Sequence, residues 1–130
     1  MKSAGRVAVI VLSAVVAIAA VFMARMAVMS GRIEAAHEEI THIDPAALPD
    51  GAYRGTFEDF LVAVELEVVI GDRRIETIEI VRQNCGPGYE AHETVDRIIE
   101  AQSPLVEVVS GASGSSKAIM AAAYRALRVR

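Results

Sequence analysis

The chain is poor in the residues that build disulfide frameworks and aromatic surfaces. It has one cysteine, no tryptophan and only 5% aromatic residues among its 130. A lone cysteine excludes an internal disulfide framework and gives no firm evidence on the redox compartment. The net charge of −4 disfavours a nucleic-acid-binding role, because domains with that role usually present a basic surface.

Several familiar catalytic and binding motifs are also missing. There is no Gly-x-x-x-x-Gly-Lys-Ser/Thr string, which excludes a P-loop, and no Gly-x-Gly-x-x-Gly follows a predicted strand. Segment 111–115 departs from a nucleophile elbow at its last position, where Ser115 replaces glycine. His37 and His42 do not share a helical face, and no metal-ligand set has the usual spacing. We therefore expect no catalytic side chain and no metal site.

Hydrophobic residues make up 53% of the chain, and the longest apolar run stands at its start. Residues 7–24 carry no charge and, at ~1.5 Å per residue, would form a helix of about 27 Å, close to the ~30 Å hydrocarbon core of a bilayer. Arg25 interrupts the run and can snorkel to the interface. We predict a short tail at 1–6 and a transmembrane anchor at 7–29. A cleaved signal peptide is the alternative.

Residues 30–48 are predicted to form a juxtamembrane helix and a spacer. Segment 31–43 places apolar and acidic side chains on different faces at helical spacing. Asp44-Pro45 and the proline- and glycine-containing segment 48–51 then break the helix. The soluble domain is therefore predicted to cover residues 49–130.

The soluble domain begins with a β pattern and ends with helical patterns. In the second predicted strand, hydrophobic residues alternate with Glu65 and Glu67, as in a half-buried antiparallel strand. Gly71-Asp72 is predicted to be the hairpin turn that follows. The predicted elements, in the order strand, strand, strand, helix, strand and helix, are residues 51–57, 61–70, 73–82, 90–102, 105–109 and 118–127. The fold class is α+β: an N-terminal transmembrane helix, then a small domain with an antiparallel sheet and two packed helices.

The segment from Glu107 to Lys117 carries the strongest functional signal. It is a small-residue loop with two glycines, and its hydroxyls Ser113, Ser115 and Ser116 stand where the last helix is expected to begin. A helix start exposes unpaired N–H groups and the positive end of the helix dipole. The loop thus predicts a bound anion, typically phosphate, to which Lys117 adds a charge. An ordinary turn and N-cap is the alternative.

The same segment resembles the flavinylation signature of the FMN-binding domain family. That family includes the flavin subunits of the sodium-translocating NADH:quinone oxidoreductase and of the Rnf complexes. Its pattern is Asp, two variable residues, Ser or Thr, Gly, Ala, Thr or Ser, a variable residue and the acceptor Thr or Ser. Here Glu107 replaces the Asp, residues 110–113 fill the middle, and Ser115 falls on the acceptor position. The Asp-Gly-x-Tyr-x-Gly opening, the strand order and Gln102-Ser103 also match, so the resemblance covers residues 48–127.

The resemblance implies FMN as the cofactor, with its phosphate at the loop. Covalent attachment at Ser115 through a phosphoester and non-covalent binding both stay open. The resemblance also implies that loop 84–89 borders the flavin ring, on which Tyr89 can stack. The predicted cofactor-binding residues are Ser110, Gly111, Ala112, Ser113, Gly114, Ser115, Ser116, Lys117, Asn84 and Tyr89.

The predicted function is that of a membrane-anchored FMN-binding protein in extracytoplasmic electron transfer. We expect an electron carrier or a reductase subunit, with other redox subunits and a flavin transferase as partners. The positive-inside rule barely decides the orientation. The short tail and the resemblance favour a single-pass protein of the cell membrane with an extracytoplasmic domain. Two alternatives stay open: an anchored binding or assembly module that carries no flavin, and a small reductase with its substrate pocket at residues 84–89.

Overall fold

A computed structural model describes residues 2–128 of the chain. Met1, in the predicted tail, and Val129 and Arg130, at the end of the predicted domain, lie outside the described residues. The elements in chain order are α1 (Lys2–Glu38), a 3₁₀ turn (Pro45–Ala47), β1 (Gly51–Glu58), β2 (Ala63–Gly71), β3 (Arg74–Asn84), α2 (Glu93–Ala101) and α3 (Ser113–Leu127). The strands form an antiparallel sheet of order β1-β2-β3. The predicted α+β class is therefore confirmed.

Helix α1 runs without a break from the apolar segment into the domain. It has 37 residues and, at ~1.5 Å per residue, is about 55 Å long. The apolar part of α1 is exposed. The helix is long and apolar enough to cross a membrane. Near its C-terminal end, Met29 and Ile33 are buried in the core of the domain, and Ile40 joins the same core just beyond the helix. The segment predicted as juxtamembrane helix and spacer thus packs against the domain.

The sheet has one buried face and one solvated face, as the alternation in β2 predicts. Leu66 and Val68 are fully buried, whereas Glu65 and Glu67 point to the other face. On that face Arg54 donates from Nε to Glu67 at 3.2 Å and from Nη1 to Glu65 at 3.4 Å. Cross-strand ion pairs of this kind fix the solvated face while the opposite side chains form the core.

The β2–β3 hairpin turns one residue later than predicted. Gly71 still belongs to β2 and pairs with Arg74, so the two central residues are Asp72 and Arg73. Their φ angles are 50° and 64°. Positive φ at both central positions matches the right-handed twist of the flanking strands, which explains this position of the turn.

Helix α3 lies on the buried face of the sheet and also contacts α1 and α2. Its many alanines, Ala122 and Ala126 among them, are fully buried and leave little side-chain bulk between the helix and the strands. Gly55 of β1 lies directly beneath them. A Cβ atom at Gly55 would lie 1.9 Å from the carbonyl oxygen of Ala122 and 2.7 Å from the backbone nitrogen of Ala126. The backbones of β1 and α3 are therefore in direct contact.

The prediction of a strand at residues 105–109 was wrong. The carbonyl oxygens of Glu107 and Val108 accept hydrogen bonds from Arg97 Nη1 at 3.0 and 2.9 Å. The N–H of Val109 donates to the hydroxyl of Ser116 at 3.0 Å. Because side chains satisfy these backbone groups, the segment approaches α3 without joining the sheet.

Helix α2 begins at Glu93, three residues later than predicted. Ala91 has a φ of 54°, in the left-handed region, and such a residue cannot continue a right-handed helix. The amphipathic pattern fixed the type of this element, but the backbone conformation of a single residue set its start.

Candidate functional site

A cavity of about 300 Å³ lies where α1, the β1–β2 loop, the loop after β3 and the start of α3 meet. Its volume is at the lower end of the ~300–1,000 Å³ typical of small-molecule sites. Its lining residues are Met26, Met29, Leu61, Val62, Cys85, Gly86, Tyr89, Gly111, Ala112, Ser113, Gly114 and Ser115. Wider depressions along the outward-facing N-terminal half of α1 are flanked by that one helix only. The folded chain therefore brings both loops singled out in the sequence to one cavity.

The start of α3 faces this cavity with unpaired backbone amides. The helix begins at Ser113, the first of the hydroxyls at its expected start and five residues before the apolar segment 118–127, and Ala112 at its N-cap provides no side-chain hydrogen bond. The first backbone hydrogen bond of the helix runs from Ser116 N–H to the Ala112 carbonyl at 2.9 Å. The amides of residues 113–115 therefore precede the first donor of the helix. Together with the helix dipole, they favour a bound anion at this position.

Two glycines leave this backbone open to a ligand. Gly111 has a φ of 80°, which disfavours any residue with a side chain. A Cβ atom added at Gly111 or Gly114 would meet nothing within 4 Å. The space that a side chain at either position would fill is therefore free, and both glycines line the cavity. A phosphate with three acceptor oxygens fits this set of donors.

The four serines of the loop do not lie in equivalent places. Ser113 is exposed, Ser115 is 6% exposed, and both line the cavity. Neither forms any of the side-chain hydrogen bonds found among residues 2–128. Ser116 is fully buried, accepts from Val109 N–H at 3.0 Å and donates to the Ala112 carbonyl at 2.7 Å. Ser110 is exposed and lies outside the lining. Two hydroxyls thus face the cavity, while Ser116 supports the loop from beneath.

Replacing Ser116 with alanine is expected to lower the free energy of unfolding by ~1–3 kcal/mol, because a buried hydroxyl that makes two hydrogen bonds is lost and the Val109 N–H is left unpaired. The matched Ser113→Ala variant should change it by less than ~0.5 kcal/mol, since that side chain is exposed. Denaturant unfolding of the full chain in detergent measures both. Equal stability of the two variants would contradict the supporting role of Ser116.

The ammonium group of Lys117 forms an ion pair with Glu34 of α1. This hydrogen bond and the charge of Lys117 hold the pKa of the Glu34 carboxyl below its usual value. Lys117 is not among the residues that line the cavity. The structure therefore places it as a link between α1 and α3, and its predicted contact with the phosphate stays a prediction.

The loop after β3 supplies a second part of the cavity lining. Cys85, Gly86 and Tyr89 line the cavity, whereas Asn84 is the exposed last residue of β3 and does not. Tyr89 is 54% exposed, and its N–H donates to the Gly86 carbonyl at 3.0 Å in a tight turn. A Cβ atom at Gly86 would lie 3.0 Å from the Tyr89 ring, so the glycine makes room for that ring. The phenol is held at the cavity, where an aromatic ligand can stack on it.

Part of the cavity lining comes from segments that are distant in the sequence and were not predicted to belong to the site. Met26 and Met29 of α1 and Leu61 and Val62 of the β1–β2 loop give the cavity an apolar side. Methionine is flexible and polarizable, which suits contact with an irregular or aromatic ligand. The signal was the pair of methionines, three residues apart and so on one face of a helix, just beyond Arg25.

The fold and the cavity together define a class of protein. It is an α+β domain on a long apolar helix, with a site for a ligand that combines an anionic group with an apolar, flat part. A family model for the FMN-binding domain matches residues 62–128, just over half of the chain. The match covers every lining residue except Met26, Met29 and Leu61. No relative was found among curated proteins. The chain belongs to the FMN-binding domain family, and FMN is the cofactor that this family indicates.

Proposed function

We propose that this protein holds FMN in the cavity at the start of α3 and carries electrons as a membrane-anchored flavoprotein. The observation that carries the proposal is the uncapped first turn of α3, with residues 113–115 facing the cavity inside the segment matched by the family. The apolar, outward-facing part of α1 supports the anchor. As part of the same proposal, the domain lies on the extracytoplasmic side of the membrane.

In this proposal the amides of residues 113–115 and the hydroxyls of Ser113 and Ser115 hold the phosphate. Gly111 and Gly114 let the backbone approach it closely, while the methionines of α1 and the ring of Tyr89 contact the apolar part. FMN, when bound, supplies one- and two-electron redox chemistry, and the chain provides binding, orientation and electrostatics.

The chemistry of the lining favours an electron carrier over an enzyme with its own organic substrate. Among the described residues that line the cavity, none is His, Asp, Glu, Lys or Arg. A general acid or base poised near neutrality is therefore missing from this set, whereas electron transfer needs none.

Ser115 is the hydroxyl that we propose as the point of attachment, if FMN is joined covalently. The full-length chain coexpressed with a flavin transferase is expected to gain the mass of FMN minus water. Ser115→Ala should lose the whole gain, because no hydroxyl remains to form the phosphoester. Ser115→Thr, which keeps a hydroxyl at the acceptor position, and Ser30→Ala, on α1 and outside the loop, should keep it. Intact-mass spectrometry of the four proteins provides the measurement.

A mass gain that survives in Ser115→Ala would reject this attachment point. If the chain binds added FMN but gains no mass, the binding site for FMN is supported and covalent attachment through a phosphoester is excluded. A protein that stays colourless after addition of FMN would instead support an anchored module without flavin.

A further inference from the structure

The β1–β2 loop holds two hydrophobic side chains out toward the surroundings. Phe60 is 36% exposed and Leu61 is 41% exposed. The loop is short and internally bonded: Asp59 N–H donates to the Val62 carbonyl at 2.8 Å, and Phe60 N–H donates to Asp59 Oδ1 at 2.7 Å. Because these bonds fix the backbone, neither side chain is free to fold back into the core.

The two side chains lie beside the last turns of the apolar run of α1. The Phe60 ring contacts the Phe22 ring edge-on, with 5.9 Å between the centroids and 62° between the planes. The guanidinium carbon of Arg25 lies 4.6 Å from the centroid of the Phe60 ring. The N–H of Leu61 lies 3.4 Å from the sulfur of Met29. The loop therefore follows α1 from Phe22 to Met29.

The position of Phe22 along α1 sets the depth of the loop. A helix crosses the ~30 Å hydrocarbon core with about 20 residues, so a span that begins at Val7 ends near Met26. Phe22 lies four residues, or ~6 Å, before that end. The Phe60 ring, in contact with Phe22, therefore lies where hydrocarbon gives way to lipid headgroups.

Two arginines of α1 near the loop also suit the boundary between hydrocarbon and lipid headgroups. Arg25 stacks on the Phe60 ring, and Arg32, one to two helical turns further along α1, has a side chain that is 68% exposed. Arginine near the end of a span places its head group among lipid phosphates. The nearby acid Asp59 already faces Arg32, with 3.3 Å between Oδ2 and Nη1, so its charge is balanced.

We propose that Phe60 and Leu61 insert into the interface of the bilayer that α1 spans and seat the domain on the membrane. Met26, Met29 and Leu61 line the cavity, which places its wall within about two helical turns of the lipid boundary. A redox partner then reaches the cofactor at the membrane surface. The proposal depends on the membrane-anchoring part of the proposed function and not on bound FMN.

A single tryptophan can test the depth, because the chain contains none. The full-length Phe60→Trp variant is placed in vesicles of phosphatidylcholine and in vesicles of its dibrominated form. Bromine quenches indole fluorescence on contact, so a tryptophan at the membrane interface should lose emission in the brominated lipid relative to the unbrominated one. The emission in the brominated lipid is divided by the emission in the unbrominated lipid. Quenching by a bound flavin lowers both values and therefore cancels in this ratio.

The matched control is Leu105→Trp, because Leu105 is 44% exposed and lies between α2 and α3. Its emission should be the same in both lipids. Leu61→Trp repeats the measurement and replaces Phe60→Trp if that variant does not fold.

A third probe, Phe22→Trp, reports on the span itself. Quenching at Phe22 and at Phe60 or Leu61, with none at Leu105, is the expected result. Quenching at Phe22→Trp without quenching at Phe60→Trp and Leu61→Trp would contradict insertion of the loop into the interface. It would still support α1 as a membrane span. Absence of quenching at Phe22→Trp would overturn both.

Discussion

Replacing Gly114 with aspartate is expected to weaken FMN binding about a hundredfold, equivalent to ~2.8 kcal/mol. The new carboxylate would stand in the first turn of α3, where it competes with the phosphate for the unpaired amides and repels its charge. The fold should be retained, because a Cβ atom at Gly114 meets nothing within 4 Å and an acid in the first turn stabilises a helix by ~0.3–1 kcal/mol. Fluorescence titration of the apo chain with FMN measures the affinity.

The control for this substitution is Gly114→Asn, which has nearly the same shape without the charge. It should bind FMN far more tightly than Gly114→Asp, because only the aspartate repels the phosphate. Thermal unfolding of both variants checks that the fold is intact. Unchanged FMN affinity in Gly114→Asp would place the phosphate elsewhere.

Replacing Gly55 with alanine is expected to cost about 3 kcal/mol of folding free energy, at the upper end for overpacking of a core. The added methyl group would lie 1.9 Å from the Ala122 carbonyl oxygen and 2.8 Å from the Ala126 Cβ atom. The backbone nitrogen of Ala126 would also lie 2.7 Å away. Because two of these three atoms are backbone, the whole of α3 would have to move off β1. Since α3 also carries the start that faces the cavity, FMN binding should weaken as well. Denaturant unfolding of the full chain in detergent measures the loss.

The same substitution at Gly31 provides the comparison. Gly31 lies inside α1, and a Cβ atom there meets nothing within 4 Å. Gly31→Ala should be neutral or stabilising by up to ~1 kcal/mol, because alanine favours a helix over glycine. Comparable stability of Gly55→Ala and Gly31→Ala would mean that α3 does not rest on the backbone of β1.

Much of the fold follows from local patterns. Alternation in β2 fixes which side of the sheet is buried, because Leu66 and Val68 can be covered only by turning Glu65 and Glu67 outward. The small residues of the loop likewise fix where α3 can accept an anion. Both patterns involve residues that are close together in the sequence, so neither depends on knowledge of tertiary contacts.

The remainder depends on contacts between distant segments. The sequence places Ser115 and Ser116 side by side as phosphate ligands, and in the structure the Ser116 hydroxyl accepts from the Val109 N–H and donates to the Ala112 carbonyl. Lys117 has the charge that a phosphate site uses, yet Glu34 of α1 takes its ammonium group. Met26 joins the cavity only because α1 continues into the domain. The pairings of Ser116 and Lys117 leave no periodic trace in the sequence.

The central claim is that the FMN phosphate binds the amides at the start of α3. The most direct measurement is the ¹H–¹⁵N NMR spectrum of the full chain in detergent micelles, titrated with FMN and separately with riboflavin, which lacks the phosphate. We predict large shifts of the Ser113, Gly114 and Ser115 amides with FMN and small shifts of these amides with riboflavin. If these three amides stay in place while FMN shifts resonances elsewhere, the phosphate does not bind at α3 and the account is contradicted.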